Sequence, residues 1–295
     1  MSLSLPASNA VHGAWNTLWF YPPVKGLDAP TEQASFLYPG ACAFERDFVA
    51  SSSALVMRNY ISLGWFAVAA YLVMIIIGQR VMRDRKPFDL KIPLAAWNLL
   101  LAIFSIAGSI RVIPVMFYFL YKYGFTYLTC RTPLYTSGAG PVGVWMILFI
   151  WSKYAELLDT VFLVLRKKPV NFLHWFHHAT VLLYCWYAGA YETPTGVYFA
   201  AMNYAVHSVM YSYYFLAAIN KTPKWGKFVT VIQILQMFGG IGVTFSHWYL
   251  ETRVANCNCH KRTLYAAVLM YCAYLALFLD FFVKRYLLGV KVKGE

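Results

Sequence analysis

Three histidines stand at i, i+3 and i+4 in His174-Trp-Phe-His177-His178, close to the start of an apolar run. In a helix that spacing puts all three imidazoles on one face within about one turn. Two chemistries use such a cluster: imidazole ligates iron or zinc, and imidazole also attacks thioesters and holds or moves protons. A di-iron desaturase or hydroxylase draws its ligands from several separated histidine boxes and needs more than four of them, whereas this chain has one box. A cysteine nucleophile is a third choice. Cys185 follows His177 by eight residues on a similar face but has no adjacent basic partner.

The neighbouring runs carry further polar groups in register. Lys153, Glu156, Asp159 and Thr160 fall within an arc of about 120° at 100° per residue. Asn203, His207, Met210, Tyr211 and Tyr214 share a second arc with Tyr213 beside it, and Thr230, Gln233 and Gln236 follow at steps of three. Four consecutive helices therefore turn a polar stripe toward a common interior. Counted from the helix ends, His177 lies roughly 9 Å deep and His207 roughly 17 Å at 1.5 Å per residue, and Asp159, Gln233 and Gln236 lie in the same slab. Other polar residues read as structural. His247 is expected in an interhelical hydrogen bond and Asp280 beside Lys284 at i+4; Arg111 pairs with Glu156 or Asp159, or sits at the interface.

The elements that must position these groups follow from composition. The 295 residues are 60% hydrophobic and 13% charged, with a mean hydropathy of +0.52. A soluble domain is about a quarter charged, so the expectation is an all-α polytopic membrane protein. Disorder, collagen and a disulfide scaffold are excluded, and so is a transmembrane barrel of strands, because the runs are continuously apolar and do not alternate. Seven spans are predicted: Tyr60 to Ile77, Ile92 to Tyr121, Val142 to Leu165, Phe172 to Ala190, Val197 to Ala218, Phe228 to Leu250 and Leu264 to Val283. The second is long for one crossing and contains Pro114, yet Ile110-Arg111-Val112 offers no turn residues, so one tilted, kinked helix is expected.

The net charge of +13 reflects the bilayer and not nucleic acid. Fifteen Lys and Arg residues fall in the loops of one side against eight on the other, which predicts a cytosolic C-terminus and a lumenal N-terminus. The first 20 residues have no Lys or Arg and no long apolar core, so no cleavable signal peptide is expected. Cys42, Cys130, Cys257 and Cys259 fall on the lumenal side, where a bridge from Cys130 to Cys257 or Cys259 competes with free thiols. The sequon Asn220-Lys221-Thr222 falls on the cytosolic side and should stay bare.

Taken in order, Lys153-Tyr-Ala-Glu156-Leu-Leu-Asp159-Thr160, the box at His174 to His178, Asn203-Tyr204 with His207-Ser-Val-Met210-Tyr211-Ser-Tyr213-Tyr214, and Thr230-Val-Ile-Gln233-Ile-Leu-Gln236 resemble the successive motifs of the ELO family of very-long-chain fatty acid elongases. The resemblance runs from about Tyr60 to Arg285. It implies a 3-ketoacyl-CoA synthase of the endoplasmic reticulum membrane that condenses acyl-CoA with malonyl-CoA, releasing carbon dioxide and CoA, with no metal or other cofactor. It further implies seven transmembrane helices, the last six forming a barrel around an acyl tunnel.

By the same resemblance His177 is the acylated residue and His207 lies across the site. Asn203 and His207 would stabilise the enolate or oxyanion, and His174, His178, Asp159 and Gln233 would orient imidazoles. Lys153, Glu156, Thr160, Tyr204, Met210, Tyr211, Tyr214 and Gln236 would line the substrate site, with Arg166, Lys167 and Lys168 beside the CoA phosphates. Trp175 resembles the branch acting on saturated and monounsaturated chains. The chain then divides into a lumenal segment 1–59, the elongase domain 60–286 and a cytosolic tail 287–295, whose Lys291 and Lys293 resemble a dilysine retrieval signal. Partners would be the bilayer, the two CoA substrates and the reductases and dehydratase of the elongation cycle, with a homo-oligomer compatible. The competing readings are a histidine-box metal oxidoreductase acting on lipid chains and a seven-span receptor or transporter.

Overall fold

The computed structural model of the protein describes residue 41 and residues 43–289, so the expectations for Cys42, most of segment 1–59 and the tail lysines fall outside the described residues. Among the described residues two short helices come first, α1 (Ala43–Arg46) and α2 (Ser51–Asn59). They lead into α3 (Ser62–Met82) and α4 (Lys91–Cys130). A 3₁₀ turn at Pro133–Tyr135 precedes α5 (Gly140–Ala155) and α6 (Leu158–Leu165). The last four are α7 (Phe172–Ala190), α8 (Gly196–Ala218), α9 (Gly226–Arg253) and α10 (Lys261–Phe282), which ends in a π turn at Val283–Leu287. The described residues form no strand; an isolated bridge joins Val49 to Ala139.

By length and composition α3, α4, α9 and the segment from Lys261 to Leu287 can each cross a membrane. Their apolar side chains point outward as well as inward: Ile92, Phe66, Trp65 and Leu269 are all exposed. Such a surface is stable only against lipid, and the protein is a multi-pass membrane protein. The second predicted span is one helix that runs through Pro114 as expected. Its helical geometry breaks later, at Gly124, where φ is +81° and glycine carries no Cβ penalty. The third predicted span differs from expectation. It is cut at Glu156-Leu157, where the backbone tightens into i, i+3 bonds from Asp159 N to Glu156 O and from Thr160 N to Leu157 O.

From α3 onward, with α5 and α6 taken together, successive helices run in alternate directions, as the ties at each end show. At one end Cys130 is bridged to Cys257, Asn258 N donates to Cys130 O, and Arg58 donates to Ala190 O. The bridge resolves the pairing in favour of Cys257 and leaves Cys259 free. At the other end Phe88 N donates to Leu165 O, and the Lys167 ammonium donates to the carbonyls of Arg83 and Arg85 just past α3.

Helix α4 packs most extensively on α8. Gly108 permits the approach, since a Cβ there would enter the Tyr204 ring; Gly240 does the same for Tyr271 between α9 and α10. Further contacts join α4 to α5, α5 to α7, α7 to α10, α10 to α9 and α9 to α8, while α3 lies on α6 and α7.

Candidate active site

Helix α7 begins at a side-chain cap. Asn171 Oδ1 accepts from His174 N at 2.8 Å, satisfying one of the free amides of the first turn that carries the histidine box. His174 Nε2 then meets Thr160 Oγ1 at 2.8 Å, and Thr160 meets the hydroxyl of Tyr71 on α3 at 2.8 Å. His174 and His178 lie ring to ring at 4.5 Å, and His178 stands edge-on to His177 at 5.4 Å. The His177 ring packs on Tyr274 of α10 at 5.0 Å and makes no hydrogen bond among the described residues. Tyr274 also pins the backbone behind that ring: its hydroxyl bonds Thr180 Oγ1 at 2.6 Å and donates to His177 O at 3.2 Å.

Opposite α7, the break between α5 and α6 aims a second cluster inward. Lys153 Nζ donates to Glu156 Oε1 at 2.7 Å and to Asn203 Oδ1 at 2.9 Å. Asn203 Nδ2 lies 3.0 Å from His207 Nε2, and His207 Nδ1 lies 3.9 Å from Glu156 Oε1. Ser152 Oγ adds a bond of 3.1 Å to the same carboxylate oxygen, while Glu156 Oε2 is buried without a partner. Lys153 and Glu156 are each only 2% exposed. The pair exists there because each charge compensates the other; either alone would be a costly buried ion. Helix α5, which carries Lys153, packs on both α7 and α8. The two clusters thus share one interior.

Several predicted residues have other partners than expected. Asp159 touches no imidazole by hydrogen bond: it accepts from Trp97 Nε1 at 2.6 Å and from the Tyr211 hydroxyl at 2.9 Å. The Tyr211 ring in turn stands edge-on to the His207 imidazole at 5.2 Å. Gln233 meets Met210 Sδ at 3.2 Å and not a histidine. Tyr204 is consumed in helix packing, its hydroxyl on Trp145 O and its ring on Phe104 and Phe149. Tyr214 is 43% exposed, and Gln236 is half-buried on α9. Arg111 pairs with Glu45 at 3.8 Å and with neither Glu156 nor Asp159. Lys167 is engaged on the α3 carbonyls, leaving Arg166 and Lys168 as the other basic residues of that turn. His247 meets Asn258 O at 3.1 Å in the loop after its own helix and not a neighbouring helix, whereas Asp280 meets Lys284 at 2.8 Å as expected.

Tyr71, Trp97, Ser152, Thr180 and Tyr274 escaped the sequence reading, because nothing in their local pattern sets them apart from other residues of apolar helices. Asn171 escaped it too, although a helix cap directly before the box is a sequence signal that could have found it. Among the described residues no three His, Cys, Asp or Glu side chains gather as a metal-ligand set.

Beyond this geometry, the profile of the ELO family, described as the GNS1/SUR4 family, matches residues 56–294. The chain belongs to the ELO family. Among relatives of this ELO chain, a "very long chain fatty acid elongase 6" of Drosophila melanogaster is 38% identical over 83% of this chain and 78% of its own length. Its Mus musculus counterpart of the same name is 37% identical over 84% of this chain and 93% of its own. A "very long chain fatty acid elongase 4" of Trypanosoma cruzi is 35% identical over 82% and 86%. The ELO match takes in both clusters and every helix from α3 onward.

Proposed function

We propose that this protein is a fatty acid elongase that condenses a long-chain acyl-CoA with malonyl-CoA to give 3-ketoacyl-CoA, carbon dioxide and CoA. Family membership and the elongase relatives support the activity. The observation that carries the chemistry is the His177 ring, which makes no hydrogen bond among the described residues, on a helix packed against the one that carries Lys153 of the buried Lys153–Glu156–Asn203–His207 network.

In the first half-reaction a ring nitrogen of His177 attacks the thioester carbonyl. A C–N bond forms, the C–S bond breaks, and CoA leaves as the thiol with the imidazole proton. In the second, the carboxylate of malonyl-CoA departs as carbon dioxide and its electron pair forms the thioester enolate. The enolate carbon attacks the acyl-imidazole carbonyl, a C–C bond forms, the C–N bond breaks, and His177 takes up a proton. Asn203, whose amide is held between Lys153 and His207, donates to the developing negative oxygen. His174 is oriented by Thr160 and Tyr71, and His178 packs between His174 and His177.

The proposed architecture has seven crossings: α3, α4, α5 with α6, α7, α8, α9 and α10. Packing that passes from α4 through α5, α7, α10, α9 and α8 back to α4 supports a six-helix barrel with α3 outside it. The excess of basic residues in the loops at the Lys167 end supports a cytosolic location for that end, in the endoplasmic reticulum membrane, with the N-terminus lumenal. Arg166 and Lys168 there would meet the CoA phosphates.

The test is mass spectrometry of the purified protein incubated with acyl-CoA alone, together with condensation assays of His177→Ala. The expected result is one acyl adduct on His177 and at least a thousandfold loss of condensation in the folded variant. Full activity in that variant would overturn the acyl-imidazole route, and stoichiometric iron without an adduct would move the reading to an oxidoreductase.

A further inference from the structure

The Lys153 ammonium has three N–H bonds, and each has a destination: Glu156 Oε1 at 2.7 Å, Asn203 Oδ1 at 2.9 Å, and the face of the Phe149 ring at 4.4 Å. None is left for a substrate. A residue that is 2% exposed and saturated in this way is badly placed to bind a CoA ester. It is well placed to act on its neighbours.

An ammonium can only donate, so the Asn203 atom facing it must be the carbonyl oxygen. The amide NH₂ is therefore turned to His207. Nε2 of that ring, 3.0 Å away, then has to accept, and the proton sits on Nδ1, the nitrogen 3.9 Å from Glu156 Oε1. The remaining N–H of Asn203 is the donor the site can offer to an oxyanion. Without the ammonium, the amide would be free to turn by 180°. It would then present its carbonyl to His207, move the imidazole proton to Nε2, and take the N–H donor away.

We infer that Lys153 is a positioning residue of the condensation half-reaction, which holds the Asn203 amide in its donating orientation and thereby sets the tautomer of His207. The inference rests on the elongase reading above and reassigns Lys153 from substrate binding. Glu156 serves as the counter-charge that lets the ammonium remain buried, and Phe149 covers its third proton.

Removing Lys153 alone would strand a buried carboxylate and risk misfolding, so the variants are chosen to keep the charge balanced and the shape similar. The double variant Lys153→Met/Glu156→Gln removes both charges at nearly constant volume. Asn203→Asp keeps an acceptor for Lys153 but cannot donate to His207. In detergent-solubilised full-length protein, with acyl-CoA and malonyl-CoA as probes, the double variant should acylate His177 to within threefold of the wild-type yield. In both variants, kcat for condensation should fall at least a hundredfold, with KM for either substrate within threefold. Nitrogen NMR of histidine-labelled protein should show the His207 proton on Nδ1 in the wild type and not in Asn203→Asp.

A KM rising tenfold with kcat retained would make Lys153 a substrate ligand and overturn the inference. So would a condensation rate within threefold of wild type in either folded variant. Should the double variant fail to fold, Asn203→Asp alone decides by the same criteria. Absence of a His177 adduct in the wild type is a different result: it sinks the acyl-imidazole reading, while the ratio of kcat to KM losses and the tautomer still judge Lys153.

Discussion

His177 is held by its backbone more than by its ring. Thr180 donates its proton to Phe176 O at 2.6 Å, and the Tyr274 hydroxyl shares its one proton between Thr180 Oγ1 and His177 O, so one turn of α7 is clamped from α10. Tyr274→Phe keeps the ring stacked on the imidazole and deletes the clamp. The expected cost is about 1 kcal/mol in stability, the usual net value of one buried hydrogen bond. The initial rate of His177 acylation should fall roughly tenfold, because a small displacement of a nucleophile is expensive in rate. Thermal melting and single-turnover kinetics measure the two separately; an unchanged acylation rate would leave Tyr274 with a packing role only.

Among the elements, the break at Glu156-Leu157 and the start of α7 carry the most consequence. An unbroken helix would keep Lys153, Glu156, Asp159 and Thr160 on one stripe. With the tightened turn, Lys153 and Glu156 reach Asn203 and His207 on α8, while Thr160 reaches His174 on α7 and Asp159 reaches Trp97 on α4. With Thr160 also bonded to Tyr71 on α3, four motif residues thus serve four different helices. Asn171 does for α7 what a cap does generally, so Asn171→Ala should cost about 1 kcal/mol. It should also loosen the turn bearing His174; an activity loss without a drop in melting temperature would mean that the cap acts on the chemistry and not on the helix.

The whole molecule is tied at both ends. The Cys130–Cys257 bridge closes a separation of 127 residues across the end where α4 and α9 finish. Helices already threaded through a membrane restrict the unfolded chain, so the gain should be less than loop entropy alone suggests. Cys130→Ser should cost about 2 kcal/mol, or roughly 5 °C in melting temperature. The orientation predicted from the basic loops has its own check in the sequon at Asn220, an exposed residue between α8 and α9. Expressed in a glycosylating cell, the protein should carry no sugar at Asn220. Glycan found there would invert the proposed topology.

Much of this protein follows from sequence alone, because a bilayer makes local signals strong: a run of about 20 apolar residues has no stable option in lipid other than a helix, and ionisable groups within it must turn inward. Hence the helices, the polar stripes on α5 to α9, the histidine box and the family were all legible. Period and spacing say which face a residue occupies, but not which helix that face meets. The partner of Asp159, the clamp of Tyr274 on His177, the capping use of Lys167 and the choice of Cys257 over Cys259 each depend on contacts between segments far apart in the chain. These were decided only when α10 packed against α7 and α4 against α8, the latter where Gly108 allows close approach. The orientation of the Asn203 amide is of the same kind: it depends on an ammonium fifty residues away in the chain, held in place by a break in a helix that periodicity reads as continuous.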